Sequence, residues 1–142
     1  VGLLVLRAAL AWIFIYHGSG KLFGAFGGPG IEGFAKGMQD MPLLAPTVWA
    51  TIVGICEFGS GLLMVAGMFS RFAALVIIVI MTVAIGRYTG GLGFAGQGVG
   101  YQFNMVIIAA SLVILLVGAG LVSVDAMLFK RGLWARGPQP LS

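Results

Sequence analysis

Long apolar runs separated by short polar or glycine-rich segments dominate this chain. A hydrocarbon core of about 30 Å takes roughly 20 apolar residues of helix, so each long run is a candidate membrane span. We predict an all-α fold: an integral membrane four-helix bundle that forms a single domain over residues 1–142. The predicted spans are about 2–23, 47–69, 72–88 and 102–122, and a basic tail follows at 126–142.

Composition and charge agree with this pattern and add a prediction of sidedness. Hydrophobic residues make up 60% of the chain and charged residues 8%, with a mean hydropathy of +1.09. The net charge of +4 is spread along the spans, which argues against a nucleic-acid partner. Lysines and arginines are more numerous at the end of the bundle that carries the termini, so both termini are predicted to be cytoplasmic. The cations at that end are Arg7, Arg71, Lys130, Arg131 and Arg136, against Lys21, Lys36 and Arg87 at the other.

The first predicted helix carries a polar stripe. At 3.6 residues per turn, Arg7, Leu10, Phe14, His17 and Lys21 point the same way. An ionisable group in hydrocarbon is costly, so this stripe is expected to face protein or a wet cavity. Arg7, near the cytoplasmic boundary, is expected to reach the headgroups or to pair with a neighbour.

Residues 24–46 form the first outer loop. Within it, apolar residues recur at helical spacing: Ile31, Phe34, Met38 and Met41. Glu32 and Lys36 form an i,i+4 pair on the other side. This pattern predicts a short interfacial helix that caps the bundle. An ordinary ordered loop is the alternative.

A carboxylate lies near the middle of the second span. Glu57 shares a helix face with the small residues Ala50, Gly54 and Gly61. Small residues let a neighbouring backbone approach closely in membrane proteins. Glu57 is therefore expected to be buried against another helix.

Each predicted helix contributes polar groups to the outer half of the bundle. Together they predict one polar cavity and candidate ligand-binding site. The alternative is a purely structural polar network, with Lys21 and Arg87 reaching the headgroups. The candidate residues are His17, Lys21, Glu57, Arg87, Tyr101, Gln102 and Asn104.

The numbers of histidine and cysteine residues limit which cofactors a single chain can hold. With one histidine, a bis-histidine haem is excluded within the chain, and with Cys56 alone so is an internal disulfide. The histidine, cysteine and carboxylate positions lack zinc spacing. We expect no haem and no metal, so electrons would come from a partner or a diffusible carrier.

Short motifs along most of the chain resemble a known family. They are Leu6-Arg7, Phe14-Ile15-Tyr16-His17-Gly18, Lys21-Leu22-Phe23, Gly27-Gly28-Pro29-Gly30, Gly33-Phe34-Ala35, Gly54 with Glu57, Gly67-Met68-Phe69-Ser70-Arg71, and Gly100-Tyr101-Gln102-Phe103-Asn104. This set resembles the DoxX family of small bacterial inner-membrane proteins, in which many members carry Glu at the position of Gln102. The resemblance implies association with larger redox assemblies: a relative, DoxD, is a subunit of thiosulfate:quinone oxidoreductase. It implies no catalytic residues.

Two functional hypotheses follow. The first is a membrane subunit that binds a quinone or a lipid headgroup and serves electron transfer. In that hypothesis His17 and Lys21 would donate to carbonyl oxygens, and Glu57 would relay protons. Arg87 would hold charge, and Tyr101 and Phe14 would pack on the ring. The second is a non-catalytic accessory or assembly subunit of a large membrane complex. A small transporter is a weaker alternative, because the sequence shows no internal repeat or broken mid-membrane helix.

Overall fold

The computed structural model describes residues 1–42, 44–95 and 100–129. Over those ranges the chain is all-helical and has no strand, which confirms the all-α prediction. Residues 130–142, most of the predicted basic tail, lie outside the described residues. The helices are α1 (Gly2–Phe23), α2 (Gly30–Ala35), α3 (Pro46–Ala66), α4 (Ser70–Ala84), α5 (Gln102–Val117) and α6 (Val124–Phe129).

Three helical stretches are long and apolar enough to cross a membrane: Gly2–Phe23, Pro46–Ala66 and Ser70–Leu92. The last consists of α4 continued by a π-helical turn at Ile85–Thr89 and a 3-10 turn at Gly90–Leu92. The 16 residues of α5 are apolar but span only about 24 Å. These helices are compatible with a membrane bundle.

The fourth long helix ends earlier than predicted, at Val117 rather than near residue 122. Gly118 and Gly120 have φ of 92° and 81°, which a helix does not accommodate. The chain therefore leaves the helix at Gly118. The carbonyls of Ala119 and Val122, released from helical bonding, accept hydrogen bonds from Arg7 instead.

Arg7 is buried and binds backbone carbonyls of neighbouring segments, so of the two expected outcomes it pairs with its neighbours and does not reach the headgroups. Its Nε donates to the Met64 carbonyl at 3.0 Å, and one terminal nitrogen donates to Ala119 at 2.6 Å and Val122 at 2.8 Å. The last carbonyls of a helix lack intrahelical partners. Arg7 therefore joins the end of α3 to the segment after α5. The Met64 carbonyl also accepts the Gly67 N–H at 3.3 Å, whereas the Ala119 and Val122 carbonyls have Arg7 as their donor among the described residues.

The α3–α4 connection is fixed by a residue far along the chain. Gly67 ends α3 with φ of 64°, and α4 begins at Ser70. The Asp125 carboxylate accepts the N–H groups of Phe69 at 2.8 Å and Ser70 at 3.0 Å. A carboxylate is stabilising at a helix N-terminus, so α6 supplies the cap of α4. We call this end of the bundle, around Gly67–Phe69, the turn end.

The bundle is built from two closely packed helix pairs, α1 with α3 and α4 with α5. In the first pair small residues make the contact. A Cβ on Gly18 would lie 2.4 Å from the Phe58 nitrogen, and one on Gly61 would lie 2.8 Å from atoms of Ile15. The second pair packs through apolar residues such as Ile77 and Ile107. Larger residues at the glycine positions would thus separate α1 from α3.

A short helix does form in the first outer loop. Ala35 and Met38 are buried, while Glu32 and Lys36 are exposed. α2 packs against α1 and α3 at the end of the bundle opposite the turn end, which we call the loop end. Its position at a membrane interface stays a prediction.

Candidate functional site

A large apolar cavity lies between the two helix pairs. Its volume is about 810 Å³, and it is lined by α1, α3, α4, α5 and the segment that includes α2. α3 contributes residues 49–57 and α4 contributes residues 75–84, which are the parts of both helices away from the turn end. Because α3 packs mainly on α1 and α4 mainly on α5, space remains between α3 and α4 toward the loop end.

An ion pair forms part of the cavity wall. Lys21 Nζ lies 2.5 Å from Glu57 Oε1, and the side chains of Lys21 and Glu57 are 20% and 3% exposed. Both residues line the cavity. Glu57 is thus buried against another helix, as expected. Removing two charges from water is expensive, and replacing a buried pair by apolar residues often costs nothing. The pair is therefore a candidate for a functional role.

α1 and α3 can bring this pair together because they approach closely on either side of it. Gly18 contacts α3 three residues before Lys21, and Gly54 contacts Leu22 three residues before Glu57. The ring of Phe34, in α2, packs over Lys21, and the ring centroid lies 4.5 Å from Nζ. Such a cation–π contact is favourable where the ammonium is partly desolvated. The α2 segment thus closes the loop end over Lys21.

His17 lies at a boundary between two pockets. It lines the large cavity and also a smaller pocket of about 160 Å³ formed with Tyr16 and residues 25–29. The imidazole is exposed and meets the Tyr16 ring edge-on at 5.4 Å. Arg7 and Phe14 of the predicted stripe are buried, but at the next turn α1 presents Gly18 to α3. That contact leaves His17 beside the helix interface rather than within it.

A second polar group lies on the α4–α5 side of the cavity. Asn104 is buried and lines the cavity; its Nδ2 donates to Met81 Sδ at 3.3 Å. Thr89 Oγ1 donates to Asn104 Oδ1 at 3.2 Å and thereby orients the amide. Thr89 lies in the π-helical turn, a feature that is frequent at functional sites.

The structure brings four of the seven predicted residues to the cavity: His17, Lys21, Glu57 and Asn104. The other three lie elsewhere. Arg87 and Gln102 are exposed, and Tyr101 meets the Phe94 ring edge-on at 5.6 Å. None of these three lines the cavity, whereas Trp49, Cys56 and Tyr88 do. The glycine-rich stretch at 90–100 predicts a flexible loop or, as the sharper alternative, the lining of a ligand mouth. Residues 96–99 of this stretch lie outside the described residues.

Trp49 and Tyr88 were missed because the sequence places them at helix ends, where aromatic rings are expected at any membrane interface. Nothing in the sequence marks Thr89 as a site residue, because its contact with Asn104 depends on the π-helical turn. Within the described ranges, no three His, Cys, Asp or Glu side chains are grouped as a metal ion would require.

Comparison with known proteins gives a family and one relative. The family model described as DoxX matches residues 2–90. An uncharacterized protein of Haemophilus influenzae is 28% identical over 134 residues, which cover 92% of this chain and 85% of that protein. No solved structure matches the chain.

Proposed function

This chain belongs to the DoxX family, and we propose that it is a membrane subunit that binds a quinone, or a lipid of similar shape, for a larger electron-transfer complex. Its apolar helices make it a membrane protein. We place it in the bacterial cytoplasmic membrane with both termini on the cytoplasmic side, on the excess of lysine and arginine at the end that carries the termini.

The observation that carries this proposal is an apolar cavity with polar groups at defined places. Ligand pockets of about 300–1,000 Å³ are typically apolar with a few placed polar groups, and the 810 Å³ cavity has this character. Ile52, Leu75 and Val79 line it and are also exposed at the protein surface. An apolar molecule can therefore pass between α3 and α4 from the bilayer.

The polar groups suit a ring with oxygen substituents at opposite sides. Lys21 and His17 are available as donors on the α1 side of the cavity. On the α5 side the Asn104 amide donates to Met81 Sδ, which is a weak acceptor that a ligand oxygen would replace. A bound quinone would supply two-electron, two-proton chemistry. The residues here would bind and orient it, and Glu57 would exchange a proton beside it.

A non-catalytic accessory or assembly subunit of a large membrane complex is the second candidate. Large apolar side chains are exposed along α1 and α5, including Trp12, Val106 and Leu116. Such surfaces suit lipid, and they also suit another membrane subunit. The two candidates differ in whether the purified chain holds an amphiphile in its cavity.

Replacing His17 by alanine is expected to weaken the binding of a short-chain quinone about tenfold, the effect of one lost hydrogen bond. The measurement is equilibrium binding to the chain in detergent micelles or nanodiscs. The matched control is Thr82→Val. The Thr82 hydroxyl bonds to Ile78 of its own helix and does not line the cavity, so binding should be unchanged.

An equal affinity in the unaltered chain and His17→Ala would remove His17 from the site. A chain that binds no quinone and comigrates with a large complex from native membranes would favour the accessory role.

A further inference from the structure

The Lys21–Glu57 pair presents a donor and an acceptor side by side at the cavity. We propose that it recognises a hydroxyl group, so that the cavity prefers a hydroquinone to the corresponding quinone. This inference rests on the proposed function and narrows it, because it specifies which functional group of the ligand meets the ion pair.

The acceptor is the second carboxylate oxygen of Glu57. Oε1 accepts from Lys21 Nζ at 2.5 Å, whereas Oε2 is buried and has no hydrogen-bond donor among the described residues. A buried acceptor without a donor is costly, and an ionised carboxylate accepts at both oxygens. Glu57 lines the cavity, and the terminal torsion of a glutamate is soft. A rotation about that torsion would bring Oε2 to a donor in the cavity.

The donor is the ammonium of Lys21. It carries three N–H groups, of which Glu57 takes one. Lys21 also lines the cavity, with the Phe34 ring on one side of Nζ. A remaining N–H is therefore available to an acceptor atom beside the carboxylate.

A hydroxyl uses both groups at once, because its O–H donates to Glu57 while its oxygen accepts from Lys21. A quinone carbonyl oxygen can accept a hydrogen bond from Lys21, but it has no hydrogen to donate to Glu57. Its lone pairs would therefore face those of Oε2. A phosphodiester is an acceptor alone and carries a negative charge that Glu57 repels. The alcohol of a diacylglycerol offers the same chemistry as a hydroquinone, so the two sources are separated by experiment.

The test compares four probes on the unaltered chain in nanodiscs under anaerobic conditions: a decyl-tailed quinone, its hydroquinone, the dimethyl ether of that hydroquinone, and a short-chain diacylglycerol. The dimethyl ether keeps the ring and tail but has no O–H. We expect the hydroquinone to bind about tenfold more tightly than the quinone or the ether, the effect of one hydrogen bond to a charged group. This comparison needs no variant and so does not depend on variant folding.

Glu57→Gln gives the matched variant. With Oε1 of the glutamine accepting from Lys21, an amide N–H₂ takes the position of Oε2 and changes that position from acceptor to donor. The preference for hydroquinone is expected to disappear or to reverse toward the quinone. Thr82→Val is the control and should keep the preference.

The outcomes separate this inference from the proposed function. Quinone and hydroquinone of equal affinity would overturn the hydroxyl inference and leave the quinone site standing. Failure of all four probes to bind would overturn both. Tight binding of diacylglycerol with weak binding of hydroquinone would support the hydroxyl and assign it to a lipid alcohol.

Discussion

Replacing Arg7 by leucine is expected to destabilise the protein by about 3–5 kcal/mol, because several hydrogen bonds from one buried charged group are lost together and each contributes about 1.5–3 kcal/mol. The guanidinium donates to carbonyls on two separate segments, Met64 at the end of α3 and Ala119 and Val122 after α5. Leucine leaves the Ala119 and Val122 carbonyls without a donor among the described residues, and it leaves the Met64 carbonyl with the Gly67 N–H alone. The measurement is denaturant unfolding in detergent micelles.

Two further variants show whether the geometry or the charge matters. Arg7→Lys keeps the charge but replaces a planar fork of five N–H groups by a point charge, so most of the loss should remain. Arg71→Leu is the matched control: Arg71 is exposed, and its side chain makes one long hydrogen bond within the described ranges, 3.3 Å to the Leu116 carbonyl. Its loss should cost less than about 1 kcal/mol. Equal stability of Arg7→Leu and Arg71→Leu would contradict the assigned role of Arg7.

Replacing Gly18 by alanine, which adds one methyl group, is expected to destabilise the protein by about 2 kcal/mol or more. This value lies in the upper part of the range for overpacked sites. The new Cβ would meet the Phe58 backbone nitrogen at 2.4 Å, and backbone cannot move aside as a flexible side chain does. α1 and α3 would have to separate, so Lys21 and Glu57 would also be misaligned and quinone affinity should fall. Unfolding and binding are measured on the same preparation.

Gly59→Ala is the control for Gly18→Ala. Gly59 lies within α3, and a Cβ there would have open space around it. Alanine is favoured over glycine in a helix by about 1 kcal/mol, so this variant should be slightly stabilised. The two substitutions are chemically identical and are expected to change stability in opposite directions. A stability change of the same sign and size at both sites would contradict the close contact between α1 and α3.

The features that repeat along the chain were predictable from sequence. Apolar runs located the long helices, since hydrocarbon thickness sets their length. The small residues around Glu57 predicted its burial, since they mark a helix contact. The end of the fourth helix was not predictable in the same way, because Gly118 and Gly120 lie among apolar residues and end the helix through backbone conformation.

The candidate site was predictable in part, since helical spacing places residues on a face but does not say which neighbour that face meets. Lys21 and Glu57 reach the same wall because glycines near each let α1 and α3 approach. His17 shares the stripe of Arg7, yet the contact at Gly18 leaves its imidazole exposed. The partners of Arg7 are backbone carbonyls more than fifty residues away, and no side-chain pattern encodes them.

An amphiphile is expected to occupy the cavity between α3 and α4. Ala84 lines that cavity at the end of α4, so Ala84→Trp fills part of it, whereas Ala109→Trp adds the same bulk on an exposed face of α5 outside it. Native mass spectrometry of the three proteins, each purified from membranes, measures the retained amphiphile. The unaltered chain and Ala109→Trp are expected to retain one, and Ala84→Trp to lose it. Equal retention by all three, or no retained amphiphile in the unaltered chain, would contradict the account.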